Sequence, residues 1–144
     1  MSSWSEGALA LLVVVAMGVG LFLFSGQTLG SDSGDSGAGP IVVDPEAAAR
    51  GEALAEAQGC LQCHTTDGSL TATGPTWKGL AGSTRPLTSG EDVVADDSYL
   101  INSIVDPRSQ IVEGYDAVMP TFYADQLDDA QISDLVEYIK SLAT

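Results

Sequence analysis

A single five-residue run constrains this chain more than any other feature of its sequence. Cys60-Leu61-Gln62-Cys63-His64 has the spacing C-x-x-C-H, which places two thiols and an imidazole close together along the backbone. This is the spacing of covalent haem attachment, in which two thioethers hold the porphyrin and the histidine ligates its iron. The chain has no other cysteine and no other histidine. We therefore predict one covalently bound haem c, held by Cys60, Cys63 and His64.

Two other uses of a C-x-x-C pair fit the sequence less well. A thioredoxin-like redox pair needs no histidine directly after it and sits at a strand-to-helix junction, which the residues before Cys60 do not resemble. A zinc site needs about four ligands, whereas this chain offers three within five residues and no second pair. Haem attachment is the preferred interpretation.

Met119 is the candidate for the sixth ligand of the iron. With no second histidine, the usual soft alternative is a methionine thioether, which raises the reduction potential. Met1 is the first residue and Met17 lies in an apolar run, which leaves Met119. Pro120 follows it and would stiffen the loop that presents the sulfur. If Met119 only fills a core gap, the open iron would suit a haem enzyme or a gas sensor.

The first third of the chain differs in composition from the rest. Residues 8–24 form a nearly unbroken apolar run of 17 residues. As a helix this run would be about 26 Å long, close to the roughly 30 Å of a bilayer core. No lysine or arginine precedes Arg50, so the basic region of a secretory signal is missing. We expect an uncleaved transmembrane anchor at 1–27, a flexible Gly/Ser/Asp linker at 28–43 and a haem domain at 44–144.

Three segments of the haem domain carry helix start and stop signals. Asp44-Pro45-Glu46 provides a cap, a proline and an acid at the start of a first helix, which Gly59 ends. Asp97-Ser98 can cap a second helix, which Pro107 stops. Residues 128–131 have capping-box spacing before an amphipathic final helix. No run predicts a strand, so we expect an all-α domain.

The order of these motifs resembles the class I cytochrome c family, and most closely the cytochrome c domain of caa3-type oxidase subunit II. The resemblance covers residues 51–142. Its motifs are Gly59-Cys60-Leu61-Gln62-Cys63-His64, Thr73-Gly74-Pro75, Gly79-Leu80-Ala81-Gly82, Asp97-Ser98-Tyr99-Leu100, Ile104-Val105-Asp106-Pro107, Ile111-Val112-Glu113-Gly114-Tyr115, Met119-Pro120 and Tyr138-Ile139-Lys140-Ser141-Leu142. The paired transmembrane helices and the copper-binding domain of that subunit are absent from this sequence.

The resemblance implies a class I cytochrome c fold, in which the first and last helices cross at close range. Gly51 and Ala55 match the small side of that crossing, and Leu135 with Tyr138 match the large side.

The resemblance also implies roles around the haem. The carbonyl of Pro75 would accept a hydrogen bond from the His64 imidazole and fix its orientation. Trp77, Arg85 and Tyr99 would place hydrogen-bond donors near the haem propionates.

The net charge of the chain restricts the classes of partner that it can bind. The formal net charge is -15, which makes nucleic acid an improbable partner. The acidic surface is either a docking face for a basic redox partner or an adaptation to high salt.

These patterns predict that the protein transfers electrons and is not an enzyme. We expect a membrane-anchored cytochrome that passes single electrons to or within a terminal oxidase, with its haem domain on the periplasmic side of the cytoplasmic membrane. A subunit of a quinol-oxidising complex of the alternative complex III type and a photosynthetic electron donor are the nearest alternatives. A soluble electron carrier is a further candidate partner. A further alternative is a structural subunit whose haem only stabilises the fold.

Overall fold

The computed structural model describes residues 40–71 and 73–143. In chain order its elements are α1 (Pro45–Ala57), a 3-10 turn (Cys60–Gln62), β1 (Thr84–Pro86), β2 (Asp92–Val94), α2 (Asp97–Val105), α3 (Tyr123–Gln126) and α4 (Asp129–Ser141). The expected anchor at 1–27 and most of the expected linker at 28–43 lie outside these residues. Within the part of the chain that is described, no helix has both the length and the apolar character to cross a membrane.

Helix α1 begins and ends where its sequence signals predict. The Asp44 carboxylate accepts hydrogen bonds from the backbone N–H groups of Glu46 and Ala47. Pro45 occupies the first turn, where a backbone N–H would have no partner within the helix, so its missing N–H costs nothing. After α1, Gly59 adopts φ 75°, a left-handed conformation that a side chain would disfavour. The chain therefore turns sharply just before Cys60.

Helix α2 is capped one residue earlier than the sequence predicts. The carboxylate of Asp96, rather than Asp97 or Ser98, accepts a hydrogen bond from the Tyr99 N–H at 2.8 Å. Three consecutive polar residues can all cap a helix, so propensity alone could not choose among them. The helix ends at Val105, two residues before Pro107.

Helix α4 confirms the predicted capping box. The Asp128 carboxylate accepts from the Gln131 N–H at 2.8 Å, and the Gln131 amide oxygen accepts from the Asp128 N–H at 3.0 Å. Two donors that the helix cannot satisfy internally are thereby paired.

The crossing of α1 and α4 joins the two ends of the domain. Gly51 lies so close to α4 that a Cβ at this position would fall on the Asp134 carbonyl and 2.9 Å from Tyr138 Cβ. Ala55 is fully buried and Leu135 is 2 % exposed. The predicted small and large sides of the crossing are therefore confirmed. Arg50 and Asp134 add a two-pronged ion pair at its edge, with bonds of 2.7 and 2.8 Å.

A short antiparallel pair of strands corrects the expectation that the domain has none. Thr84 of β1 pairs with Val94 of β2, and Pro86 pairs with Asp92. Each strand has only three residues, too few to produce a readable alternation of polar and apolar side chains. Gly90, with φ 88°, lies in the turn that joins them.

The core lies between α1, α2, α4 and the connecting segments. Its larger aliphatic members are Leu80, Leu87, Leu100, Ile104, Val112, Leu127, Ile132, Leu135, Val136 and Ile139, and its aromatic members are Trp77, Tyr99, Tyr123 and Tyr138. Burying one such side chain stabilises a fold by about 1.5–3 kcal/mol. Half-buried Cys60 and Met119 pack against this core, which brings the haem motif and the candidate sixth ligand to the same region.

Candidate functional site

One cavity of about 350 Å³ brings together most of the residues that the sequence singled out. Its lining comes from Gln58 and Gly59 just after α1, the 3-10 turn, the segment after His64, helix α2, residues 107–123 and Ile139 of α4. Among the predicted site residues, those that line it are Cys60, Cys63, His64, Pro75, Trp77, Tyr99 and Met119. Segments that are distant in sequence thus form a single, mainly apolar binding site.

The 3-10 turn sets the two thiols and the imidazole toward this cavity. The backbone N–H groups of Cys63 and His64 both donate to the Cys60 carbonyl, at 3.2 and 3.1 Å. This tight turn follows from the left-handed conformation of Gly59. Both thiols are free, and burial raises the pKa of the Cys60 thiol. The pair therefore has the sulfurs that two thioether bonds require.

His64 has the tautomer and the charge that an iron ligand needs. Its Nδ1 lies 2.8 Å from the Pro75 carbonyl oxygen, which can only accept, so Nδ1 carries the proton. The Nε2 lone pair is then free to bind a metal. Burial lowers the pKa of the imidazole, although the Pro75 hydrogen bond opposes that shift, and the ring is neutral at pH 7. The hydrogen bond that the family resemblance implied is present.

The segment before Pro75 approaches His64 very closely. A Cβ on Gly74 would lie 2.9 Å from His64 Cε1 and 3.1 Å from His64 Nδ1. The Thr71 hydroxyl lies 3.0 Å from the carbonyl oxygens of both Cys63 and Gly74, which ties this segment to the haem motif. Glycine is needed at position 74 because the imidazole occupies the space of a side chain.

The three candidate propionate donors have different settings. Trp77 and Tyr99 are buried and line the cavity. Arg85 lies in β1 outside the cavity lining, but its Nε is buried and has no hydrogen-bond partner among the described residues. A buried guanidinium N–H without an acceptor is costly, and a carboxylate is its preferred partner. The propionate roles of these residues stay predictions.

Met119 lies in a loop whose ends are both held. The Val118 N–H donates to the Asp116 carbonyl at 2.8 Å on one side. On the other side, the Tyr123 hydroxyl donates to the Gln58 carbonyl at 3.3 Å, next to the haem motif. Burial raises the pKa of Tyr123, which keeps its hydroxyl protonated.

Sequence reasoning did not find the role of Tyr123. Its hydrogen bond spans 65 residues of sequence, and Thr121-Phe122-Tyr123 carries no motif that announces such a bond.

The chemical groups that line this cavity are those that a covalently bound haem requires. The cavity supplies two free thiols, a neutral imidazole with a free lone pair, a thioether and an apolar lining. The buried Nε of Arg85 has no acceptor among the described residues. Within residues 40–71 and 73–143 no group of three His, Cys, Asp or Glu side chains is arranged to hold a metal ion by itself. The fold and the site define a c-type haem protein.

The comparison with protein families agrees with that class. A family model described as Cytochrome c matches residues 48–143, about two thirds of the chain. The chain therefore belongs to the cytochrome c family, its cofactor is covalently bound haem c, and its class is that of electron-transfer haem proteins. Comparison with curated proteins gives no match.

Proposed function

We propose that this cytochrome is a single-electron carrier, not an enzyme, in which His64 and Met119 would be the two protein ligands of the iron. When bound, the haem supplies an Fe(III)/Fe(II) couple that changes by one electron without rearranging substrate bonds. The residues of the chain hold it, surround it with apolar groups and set its potential. The observation that supports this most is the cavity that His64, Met119 and the two thiols all line.

The mouth of the cavity offers a place for electron exchange. Val118 and Phe122 line the cavity, yet they are 58 % and 45 % exposed. Large apolar side chains at such a rim lose water when a partner covers them, which favours association. A redox partner that contacts these two side chains would come close to the haem.

We further propose that the carrier is tethered to the periplasmic side of the cytoplasmic membrane and serves a terminal oxidase. The apolar run at residues 8–24 supports the tether, since its length suits a bilayer. The resemblance to the cytochrome c domain of caa3-type oxidase subunit II supports the partner. A quinol-oxidising complex and a photosynthetic reaction centre are the alternative partners.

Ligation by Met119 is tested by substitution. The oxidised protein should show the weak long-wavelength absorption band of methionine-ligated haem. Met119→Ala should abolish that band and lower the reduction potential, because a thioether favours the reduced iron. Val118→Ala, one residue away, should keep the band. An oxidised spectrum that Met119→Ala leaves unchanged would assign the sixth position to another group, and a wild type without the band would favour a haem enzyme or a gas sensor.

The tether and the partner need separate experiments. A variant that lacks residues 1–30 and is exported behind a cleavable secretion signal should release a soluble, red haem domain. Its retention in the membrane fraction would show that partner contacts hold the domain there. The full-length reduced protein, added to membranes from its own cells, should be oxidised by the terminal oxidase. Failure to pass electrons to any oxidase of those membranes would refute the proposed partner.

A further inference from the structure

The Trp77 side chain lies flat against the ring of His64. The centroids of the two rings are 5.1 Å apart and their planes are inclined by only 24°. Trp77 is 6 % exposed, so solvent does not compete for this face of the imidazole. Offset stacking of this kind is worth about 0.5–1.5 kcal/mol beyond the burial of area.

The hydrogen bond of His64 does not fix the imidazole by itself. One bond from Nδ1 to the Pro75 carbonyl holds a single atom of the ring, and the ring plane can still tilt about that atom. The backbone of Gly74 limits motion at the Cε1 edge. The indole of Trp77 adds a flat surface against the ring face, and that surface restricts the tilt.

Trp77 itself is held from two directions. Its backbone N–H donates to the Thr65 carbonyl at 2.7 Å, one residue after His64. Its indole meets the Tyr138 ring edge-on, with centroids 6.0 Å apart and planes at 85°. Tyr138 belongs to α4 at its close crossing with Gly51 of α1, so the indole rests against that crossing. A side chain held in this way can position a neighbour.

We propose that Trp77 is a positioning residue that sets the plane of the His64 imidazole relative to the haem. The inference rests on the proposed ligation of iron by His64 and assigns Trp77 a role distinct from hydrogen bonding to a propionate. The orientation of an axial imidazole determines how unpaired electron density spreads over the porphyrin. The ring that Trp77 holds would thereby set which edge of the haem carries most of that density.

Proton NMR of the oxidised holoprotein tests the proposal directly. The strongly shifted resonances of the haem methyl groups report the orientation of the axial imidazole and need no electron-transfer assay. Trp77→Phe keeps an aromatic face and should preserve the order of the four methyl shifts. Trp77→Leu removes the face and should change that order or split the resonances into two sets. Leu127→Ala is the matched control, because Leu127 is as deeply buried as Trp77, at 6 % exposure, but lies outside the cavity lining.

Each outcome decides between the alternatives. A changed methyl order in Trp77→Leu, with a native order in Leu127→Ala, supports positioning. A native order in Trp77→Leu, or equal changes in both variants, overturns it in favour of general packing. If Trp77→Leu does not mature, Trp77→Met replaces it in this comparison. A methyl order in Trp77→Phe that departs further from the wild type than that of Leu127→Ala also contradicts the proposal. A wild type without the low-spin spectrum of a His/Met haem would instead refute the proposed function.

Discussion

The orientation of the His64 imidazole depends on steric contact with its neighbours as well as on hydrogen bonding. The carbonyl of Pro75 accepts a hydrogen bond from Nδ1 of the ring. Gly74 has no side chain, and the imidazole lies where one would be. The Thr73-Gly74-Pro75 motif thus fits one ring by shape and by a hydrogen bond, although neither the Thr73 nor the Pro75 side chain would bind the iron.

The close contact between Gly74 and His64 predicts the effect of adding one methyl group at position 74. In Gly74→Ala the new Cβ would lie 2.9 Å from His64 Cε1, so the ring or the loop must shift. Overpacking of this kind costs about 1–3 kcal/mol. We expect a lower unfolding temperature of the holoprotein and an altered methyl order in its proton NMR spectrum.

An exposed neighbour provides the control for that variant. Lys78→Ala changes a side chain in the same segment without entering the cavity, and it should leave both measurements near wild type. A Gly74→Ala protein with the stability and spectrum of the wild type would show that the loop yields freely.

At the scale of elements, the crossing of α1 and α4 predicts a substitution whose sign opposes helix propensity. In an exposed helix, replacing glycine by alanine stabilises by about 1 kcal/mol. At Gly51 the added Cβ would collide with the Asp134 carbonyl and Tyr138, so the helices must separate. Gly51→Ala should therefore lower the free energy of unfolding, measured by denaturant titration, by about 1–3 kcal/mol or more.

The same helix contains its own control for this prediction. Ala53 lies on the exposed face of α1. Ala53→Gly should lower the free energy of unfolding by about 1 kcal/mol through helix propensity alone. A stabilised Gly51→Ala protein would mean that the two helices do not approach as closely as their backbones indicate.

The ion pair at the edge of this crossing predicts a pH dependence. Hydrogen bonds from Arg50 lower the pKa of Asp134 below its ordinary value of 3.8. A carboxyl with a lowered folded-state pKa stabilises the fold above its unfolded pKa, and the stabilisation is lost as the pH falls through the folded value. Asp134→Asn should lower the unfolding temperature near neutral pH and flatten its fall below about pH 4.

The control for this pH experiment is an acid that makes no such pair. Glu113 is exposed and forms no salt bridge within the described residues, so Glu113→Gln should keep the acid slope of the wild type. An equal slope in wild type and Asp134→Asn would assign the acid sensitivity to other carboxyl groups.

The elements differ in how much of them the sequence could predict. The caps at Asp44 and Asp128 and the break at Gly59 depend on neighbouring residues, so local patterns were enough to locate α1 and α4. The strand pair and α3 are shorter than any readable period. The attachment motif was readable because its spacing is local, whereas the stacking of Trp77 and the bond from Tyr123 to Gln58 depend on the tertiary fold.

At the scale of the whole molecule, charge is the dominant feature. From Pro45 onward the domain has sixteen acidic residues and five basic ones. Two of the five are neutralised in ion pairs, since Arg50 binds Asp134 and Lys140 binds both Asp97 and Glu137. The field around the haem domain is therefore negative, and it should attract cationic partners and repel anionic ones.

This field predicts opposite salt effects for two small oxidants. Raising the ionic strength from about 10 mM to about 100 mM shortens the Debye length from roughly 30 Å to roughly 10 Å. Oxidation of the reduced full-length protein by a cationic cobalt complex should then slow, because its attraction is screened. Oxidation by ferricyanide, an anion, should accelerate as repulsion is screened, and stopped-flow absorbance in uncharged detergent measures both rates. If ferricyanide slows with salt instead, basic groups dominate the potential at the cavity mouth, and a docking partner with an acidic face becomes the expectation.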